Sequence, residues 1–221
     1  MVDWNLYLAR YQQTHGGIFF GSGEWDCNCQ LFLPQEGKQP LLVLFSTDPC
    51  GRSSVNTLRC RTMVRLGKPY NLRIGPRSLV GGGVSSVASL VGKSMDFGFS
   101  ETKGRVITTD NKPFTKLVLG DLALRNALKE HKSDLLEIRP GPQEDGWHLV
   151  EVFPNALEGL VKDSSPWVND AMEQAADFIT SQEDKQAILQ AGSAHFDGQL
   201  DALLEFLRAA RDAVTMWPIQ P

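Results

Sequence analysis

The stretch VNTLRCRTMVRLGKPYNLRI, residues 55–74, alternates apolar and basic side chains with a period of two. Successive side chains of a β-strand point to opposite faces of a sheet, so this period predicts two strands, 55–66 and 70–74. The core face of the first strand would carry Leu58, Cys60, Thr62, Val64 and Leu66. Its outer face would carry Arg59, Arg61 and Arg65 together with Met63.

The second strand repeats the pattern and turns Arg73 outward and Tyr70 inward. Gly67-Lys68-Pro69 is a turn signal, and we expect it to close a hairpin between the two strands. The hairpin would bring the two outward rows side by side. The sequence therefore predicts an arginine-rich sheet face that consists of Arg59, Arg61, Arg65 and Arg73.

Further strand patterns flank this stretch at 18–21, 28–33, 41–47, 105–109, 135–139 and 147–153. The first strands are separated by turn residues, which is typical of an antiparallel meander, and the last two strands are typical of a hairpin. An amphipathic helix is predicted at the N terminus from Trp4, Tyr7, Leu8 and Tyr11. A second helix is predicted at 113–131, with a break at Gly120-Asp121.

Two apolar stripes near the C terminus, at 168–179 and 200–214, predict helices, the second starting after Asp197. A shorter helical segment at 183–191 would join them. These elements predict the α+β class, as a twisted antiparallel sheet with the N-terminal and C-terminal helices packed on one face. We expect a single domain, 1–221, or one domain with a C-terminal helical extension from about residue 164.

Charge is distributed unevenly along the chain, which has a net charge of −4. Residues 49–95 contain eight basic side chains, six of them Arg, and no acidic one. From residue 121 to the end, eighteen acidic side chains stand against eight basic ones. A basic middle segment is thus followed by an acidic C-terminal part, and the overall acidity argues against a general DNA-binding protein.

The Gly-rich stretch GGGVSSVASLVGKS, residues 81–94, superficially resembles a phosphate-binding loop. Such a loop needs a glycine five residues before its Gly-Lys-Ser, so that backbone N–H groups surround the phosphates. The chain has Val87 at that position. We therefore interpret the stretch as a connector.

Four cysteines lie at positions 27, 29, 50 and 60. Cys27 and Cys29 are separated by a single residue, whereas structural zinc sites usually use longer gaps within a ligand pair. We expect free, mostly buried thiols in a reducing compartment, no cofactor and a cytoplasmic location. No secretory signal or transmembrane segment is recognised.

The segment DFGFSETKGRVITTDNKPFTKLVLGDLALRNALKEH, residues 96–131, combines a polar turn, a strand ending near an Asp and a helix with a Leu-Arg-x-x-Leu element. That element consists of Leu124, Arg125 and Leu128. In this order of elements the chain resembles uncharacterised bacterial α+β domains of unknown function. The resemblance implies packing roles for these residues and assigns no activity.

Three interpretations of the arginine-rich face stay open. In the first, the face is solvated or is neutralised by the acidic C-terminal helices. In the second, it recruits an acidic protein or a phosphate-bearing ligand. In the third, the protein is an enzyme, and the face has no part in its catalytic site. Nucleic acid is not an expected partner, because Tyr70 would point inward and leave no exposed aromatic side chain beside the arginines.

An enzyme would need a reactive constellation, and no Gly-x-Ser-x-Gly motif occurs. The best carboxylates are Glu24 with Asp26, and Glu144, Asp145 and Glu151 around His148. We interpret His148 as an ordinary strand residue. The sequence thus favours a noncatalytic binding or interaction domain, and the alternative is an enzyme of unidentified class with a site away from the basic face.

Overall fold

The computed structural model of the chain describes residues 4–21, 29–50, 53–76, 95–142, 145–154 and 182–217. Within these ranges the chain forms eight β-strands and four α-helices. The strands are β1 (Ile18–Phe20), β2 (Cys29–Gln35), β3 (Lys38–Cys50), β4 (Ser53–Arg65), β5 (Leu72–Pro76), β6 (Arg105–Thr109), β7 (Leu135–Pro140) and β8 (Trp147–Phe153). The helices are α1 (Trp4–His15), α2 (Lys112–Val118), α3 (Leu122–Glu130) and α4 (Gln182–Thr215). None of these four helices has the length and apolar character needed to cross a membrane.

The strands form an antiparallel sheet in the order β1-β2-β3-β4-β8-β7-β5-β6. A sheet of this kind together with the helices confirms the predicted α+β class. Strands β1 to β4 follow one another as the predicted meander, and β7 and β8 form the predicted hairpin. That the terminal helices share one face of the sheet stays a prediction.

The predicted hairpin between β4 and β5 is wrong, because β8 and β7 lie between these two strands. Two hydrogen bonds hold the segment that follows β4. The Leu66 N–H donates to the Gly146 carbonyl oxygen at 2.9 Å, and the Tyr70 N–H donates to His148 Nε2 at 3.0 Å. The connection is therefore held against the start of β8, and the edge of β4 pairs with β8 instead of β5.

The predicted helix start at Asp197 is also wrong, because α4 runs without interruption from Gln182 to Thr215. Asp197 and Gly198 lie in its interior, where each costs about 0.5–1 kcal/mol relative to Ala. Burial of Phe196 and Leu200 on either side outweighs this cost. The predicted helix at 168–179, the boundary near 164 and the Gly-rich stretch 81–94 lie outside the described residues.

Contacts between residues divide the chain into two compact units. The first unit comprises residues 1–33, 42–58 and 156–202, and the second comprises residues 34–41, 59–155 and 203–221. In the first unit, the rings of Tyr7 and Phe196 lie 5.0 Å apart, and the Tyr11 hydroxyl donates a hydrogen bond to Asp201. These contacts join α1 to the part of α4 that belongs to the same unit.

The core of the second unit lies on one side of its strands, where alternate side chains are buried. They are Cys60, Thr62, Val64, Leu72, Ile74, Ile107, Leu136, Ile138, Val150 and Val152. Helix α2 contacts this side through Thr115, whose hydroxyl lies 2.8 Å from those of Tyr70 and Thr109. The end of α3 is held by Arg105, which donates to the Leu128 carbonyl oxygen at 2.7 Å.

Candidate functional site

The four predicted arginines lie on the side of the second unit's sheet opposite to this core. Arg59, Arg61 and Arg65 occupy alternate positions of β4, whose intervening residues are buried, and Arg73 occupies an outward position of β5. The four arginines therefore lie on the same side of these strands. They do not lie side by side as expected, because β8 and β7 separate the row on β4 from Arg73.

A row of charged residues crosses the four strands at one level. Arg61 is paired with Glu151 on β8, Glu151 with Glu137 on β7, and Glu137 with Arg73 on β5. Two carboxylates thus stand directly opposite each other between two arginines. Like charges at such positions destabilise a sheet, so the flanking guanidinium groups compensate the repulsion.

Glu151 is the centre of this charge network, although its side chain is only 2% exposed. Its Oε1 lies 2.7 Å from Arg61 Nη2, and its Oε2 accepts a hydrogen bond of 3.3 Å from Arg139 Nη2. The Arg61 contact is an ion pair outside directed hydrogen-bond geometry, since Oε1 has no hydrogen-bond partner among the described residues. Two guanidinium groups therefore neutralise one buried carboxylate.

Arg139 is the functional candidate that the sequence did not single out. Its side chain is 46% exposed and lies on the same face as the predicted four. We call the outward side of these strands, with Arg59, Arg61, Arg65, Arg73 and Arg139, the arginine face. Among the described residues, this face carries five guanidinium groups and the carboxylates of Glu137 and Glu151.

Apolar and aromatic side chains are interleaved with the arginines. Trp147 lies opposite Arg65 and Leu149 opposite Met63 in the register of β4 and β8, and all four are at least partly exposed. The guanidinium of Arg59 lies over the ring of Phe153 at 5.7 Å from its centroid, a cation–π contact. Tyr70 points inward as predicted, and β8 supplies partly exposed aromatic side chains that the sequence analysis did not place beside the arginines.

A depression of about 670 Å³ lies at the end of the arginine face, within the second unit. It is lined by Gly37, Lys38, Gln39, Met63, Val64, Arg65, Trp147, Arg211, Asp212, Thr215 and Met216. Arg65 is exposed, and within the part of the chain that the structure describes it has no ion-pair partner. The depression thus joins an accessible guanidinium group to an aromatic side chain.

Asp212 contacts two basic residues of the depression, Lys38 and Arg211. Lys38 Nζ lies 2.9 Å from Asp212 Oδ2, and Arg211 Nε donates to Asp212 Oδ1 at 2.8 Å. Partial burial acts to raise the pKa of the Asp212 carboxyl, but the hydrogen bonds and charges of Arg211 and Lys38 outweigh it and lower the pKa. Asp212 is therefore an anion at neutral pH, and two cations share it.

His148, the candidate general base of the enzyme alternative, has both ring nitrogens engaged with the backbone. Its Nδ1 lies 3.0 Å from the Gly146 carbonyl oxygen and its Nε2 accepts from the Tyr70 N–H, which assigns the proton to Nδ1. The side chain is buried. This geometry supports the interpretation of His148 as a structural residue. Glu24, Asp26 and Glu144 lie outside the described residues.

Thiol and metal chemistry find no support in the described ranges. The side chains of Cys29 and Cys60 are both buried, as expected. Burial, followed by the nearby charge of Asp134, raises the pKa of the Cys60 thiol to about 12, so that it stays protonated and unreactive at neutral pH. Among the residues that the structure describes, no group of three His, Cys, Asp or Glu side chains is placed to hold a metal ion.

The Leu-Arg-x-x-Leu element has the packing role that the resemblance implies. Leu124 and Leu128 are fully buried. Arg125 lies 3.3 Å from Glu101 and stacks over the ring of Phe99 at 5.0 Å. These contacts join α3 to the 3₁₀ turn Ser100–Thr102. The element therefore stabilises the fold of the second unit and does not contribute to the arginine face.

Comparison with protein-family models, with curated proteins and with solved structures gives no match for this chain. The resemblance to bacterial domains of unknown function accordingly stays a prediction.

Proposed function

We propose that the protein is a noncatalytic interaction domain whose arginine face recruits an acidic segment of a partner protein. The observation that carries the proposal is the presence of five guanidinium groups on one sheet face, in a chain whose net charge is −4. Guanidinium groups bind carboxylates in a planar, bidentate geometry, and such contacts favour anionic partners over neutral ones.

The two glutamates of the arginine face favour a partner whose carboxylates are spaced apart. They disfavour a partner with a continuous chain of phosphates. Glu137 and Glu151 occupy its centre, between Arg61 and Arg73. A nucleic-acid backbone laid across this row would pass over two carboxylates. An acidic peptide can avoid them, because its charges are separated by neutral residues.

The interleaved apolar side chains support the same choice of partner. Met63 is 37% exposed, and Trp147, Leu149 and Phe153 are partly exposed beside the arginines. Interfaces between proteins combine Trp, Phe, Met and Arg in this way. The ring of Phe153 already carries Arg59, which competes with the stacking of a base. We therefore expect a partner segment that alternates acidic and apolar residues.

The test measures the fluorescence anisotropy of a short labelled peptide of repeating Glu-Glu-Leu, with Gln-Gln-Leu as the neutral control peptide. The wild-type protein should bind the acidic peptide, and the affinity should fall steeply between about 50 and 200 mM salt. A variant with Gln in place of Arg59, Arg61, Arg65 and Arg73 should bind at least about tenfold more weakly.

The matched control replaces four exposed lysines of the same unit by Gln, namely Lys103, Lys116, Lys129 and Lys132. It changes the net charge equally and should keep the affinity within about twofold. The double variant Arg65→Gln/Arg73→Gln leaves the pair of Arg61 with Glu151 intact, so it provides the test if the quadruple variant does not fold. Absence of binding by the wild type, or equal losses in both quadruple variants, contradicts the proposal.

A labelled single-stranded oligonucleotide and anionic vesicles are measured in the same assay. The oligonucleotide or the vesicles could bind more tightly than the acidic peptide and lose this binding in the arginine variants. That result would overturn the proposal of an acidic protein partner. Phosphate chemistry would then replace carboxylate chemistry as the basis of recognition.

A further inference from the structure

We propose that the depression beside the arginine face is a separate binding site for a small molecule that carries a phosphate monoester on an aromatic or other apolar body. It goes beyond the proposed function, because Lys38, Arg211 and Asp212 line the depression and do not belong to the arginine face. The two sites share Arg65 and the neighbouring apolar side chains of Met63 and Trp147.

The charges of the depression match a phosphate monoester. Lys38, Arg65 and Arg211 supply three positive charges, and Asp212 supplies one negative charge. The excess of two positive charges matches a phosphate monoester, whose average charge at neutral pH is about −1.5 to −2. A neutral ligand would leave this excess uncompensated.

Arg211 is the most buried of the three cations that line the depression. Its side chain is only 5% exposed, and its Nε is engaged by Asp212 at 2.8 Å. Its Nη1 is buried and has no hydrogen-bond partner among the described residues. Arg211 lines the depression, and Asp212 is its charged partner among the described residues, so the negative charge of a phosphate in the depression would stabilise this guanidinium group.

The remaining lining accounts for the apolar body of the ligand. Trp147, Met63 and Met216 line the depression, and Met216 is 55% exposed. Aromatic rings stack on Trp, and methionine adapts to irregular apolar surfaces. The volume of about 670 Å³ lies within the range of small-molecule sites.

The test is isothermal titration calorimetry of the whole chain with phenyl phosphate, inorganic phosphate and benzyl alcohol. Phenyl phosphate should bind with one-to-one stoichiometry and about tenfold more tightly than inorganic phosphate, because stacking adds to charge recognition. Benzyl alcohol should give no saturable heat. The titration with inorganic phosphate measures the affinity for the anion alone. Its difference from the affinity for phenyl phosphate measures the contribution of the aromatic body.

Two substitutions at neighbouring positions should act in opposite directions. Arg211→Met removes the buried guanidinium group and should weaken phenyl phosphate binding at least about tenfold. Asp212→Asn removes the carboxylate that competes for Lys38 and Arg211, and it should tighten binding about threefold or more. A general loss of folding would weaken binding in both variants, so the opposite signs distinguish a site effect from instability.

Arg208→Met is the matched control, since Arg208 lies on the same helix, pairs with Glu205 and does not line the depression. It should leave the affinity unchanged. The proposal is overturned if the wild type shows no saturable binding of phenyl phosphate, or if Arg211→Met and Asp212→Asn both leave the affinity as it is. Binding of the acidic peptide should survive Arg211→Met, so the two sites fail independently.

Discussion

Replacing Arg61 by Met should destabilise the protein more than any other single change on the arginine face. Arg61 is the nearer of two cations that neutralise Glu151, whose side chain is 2% exposed. At a separation of about 4 Å between the charge centres and an effective dielectric constant of about 20, the Coulomb energy is about 4 kcal/mol. Loss of one partner of a buried pair typically costs about 3–5 kcal/mol.

Arg139 remains beside Glu151 in this variant, at 3.3 Å, and its side chain is 46% exposed. It compensates part of the loss, so we expect Arg61→Met to lower the free energy of unfolding by about 3 kcal/mol. Arg139→Met should cost at most about 1 kcal/mol, because a half-exposed pair is screened by water. The double variant Arg61→Met/Glu151→Met should regain at least about 2 kcal/mol, since no buried charge is left alone.

Urea denaturation at neutral pH, followed by circular dichroism, measures these differences from the transition midpoints at constant slope. In thermal unfolding, a loss of about 3 kcal/mol corresponds to a melting temperature lower by about 6–12 °C. Equal effects of Arg61→Met and Arg139→Met would refute the reasoning. So would a double variant as unstable as Arg61→Met alone, because the buried carboxylate would then not be the source of the loss.

Three further changes test the surroundings of the two sites. His148→Leu leaves the Tyr70 N–H without its acceptor and should lower the free energy of unfolding by about 3 kcal/mol in urea denaturation. Gly146→Ala should cost about 2 kcal/mol in the same assay, because residue 146 has φ +83° and the new Cβ would lie 2.8 Å from the Leu66 carbonyl oxygen. The lowered pKa of Asp212 stabilises the fold above the ordinary value of 3.8, and this contribution is lost as the pH falls through the lowered pKa. Asp212→Asn should therefore be less stable than the wild type by about 0.5 kcal/mol at neutral pH, and the difference should vanish in acid.

Local features of the fold could be read from the sequence because local physics decides them. The period of two in β4 determined which side chains are buried, and Cys60 and Val64 are indeed buried while Arg65 is exposed. The break between α2 and α3 lies at Gly120 and Asp121 as predicted, and Asp121 caps α3 by accepting from the Leu124 N–H at 2.7 Å. The chemistry of a glycine and of an N-cap suffices for such predictions.

The neighbours of the arginines could not be predicted, because they depend on pairing between distant segments. Glu151 meets Arg61 across ninety residues of sequence, and β4 pairs with β8, whose neighbouring residues Gly146 and His148 also hydrogen-bond to the segment after β4. Nothing in the pattern of β4 specifies that partner. Arg139 was missed for the same reason, since its sequence neighbourhood shows an ordinary strand.

The most direct measurement of the central claim follows the arginine side-chain Nε–H signals by NMR while the Glu-Glu-Leu peptide is added. Binding at the arginine face predicts that the signals of Arg65, Arg73 and Arg139 shift together with one affinity. The signal of Arg125, which is engaged by Glu101 elsewhere in the same unit, should stay in place. Unchanged signals at the first three arginines, or a shift of Arg125 of equal size, would contradict the claim.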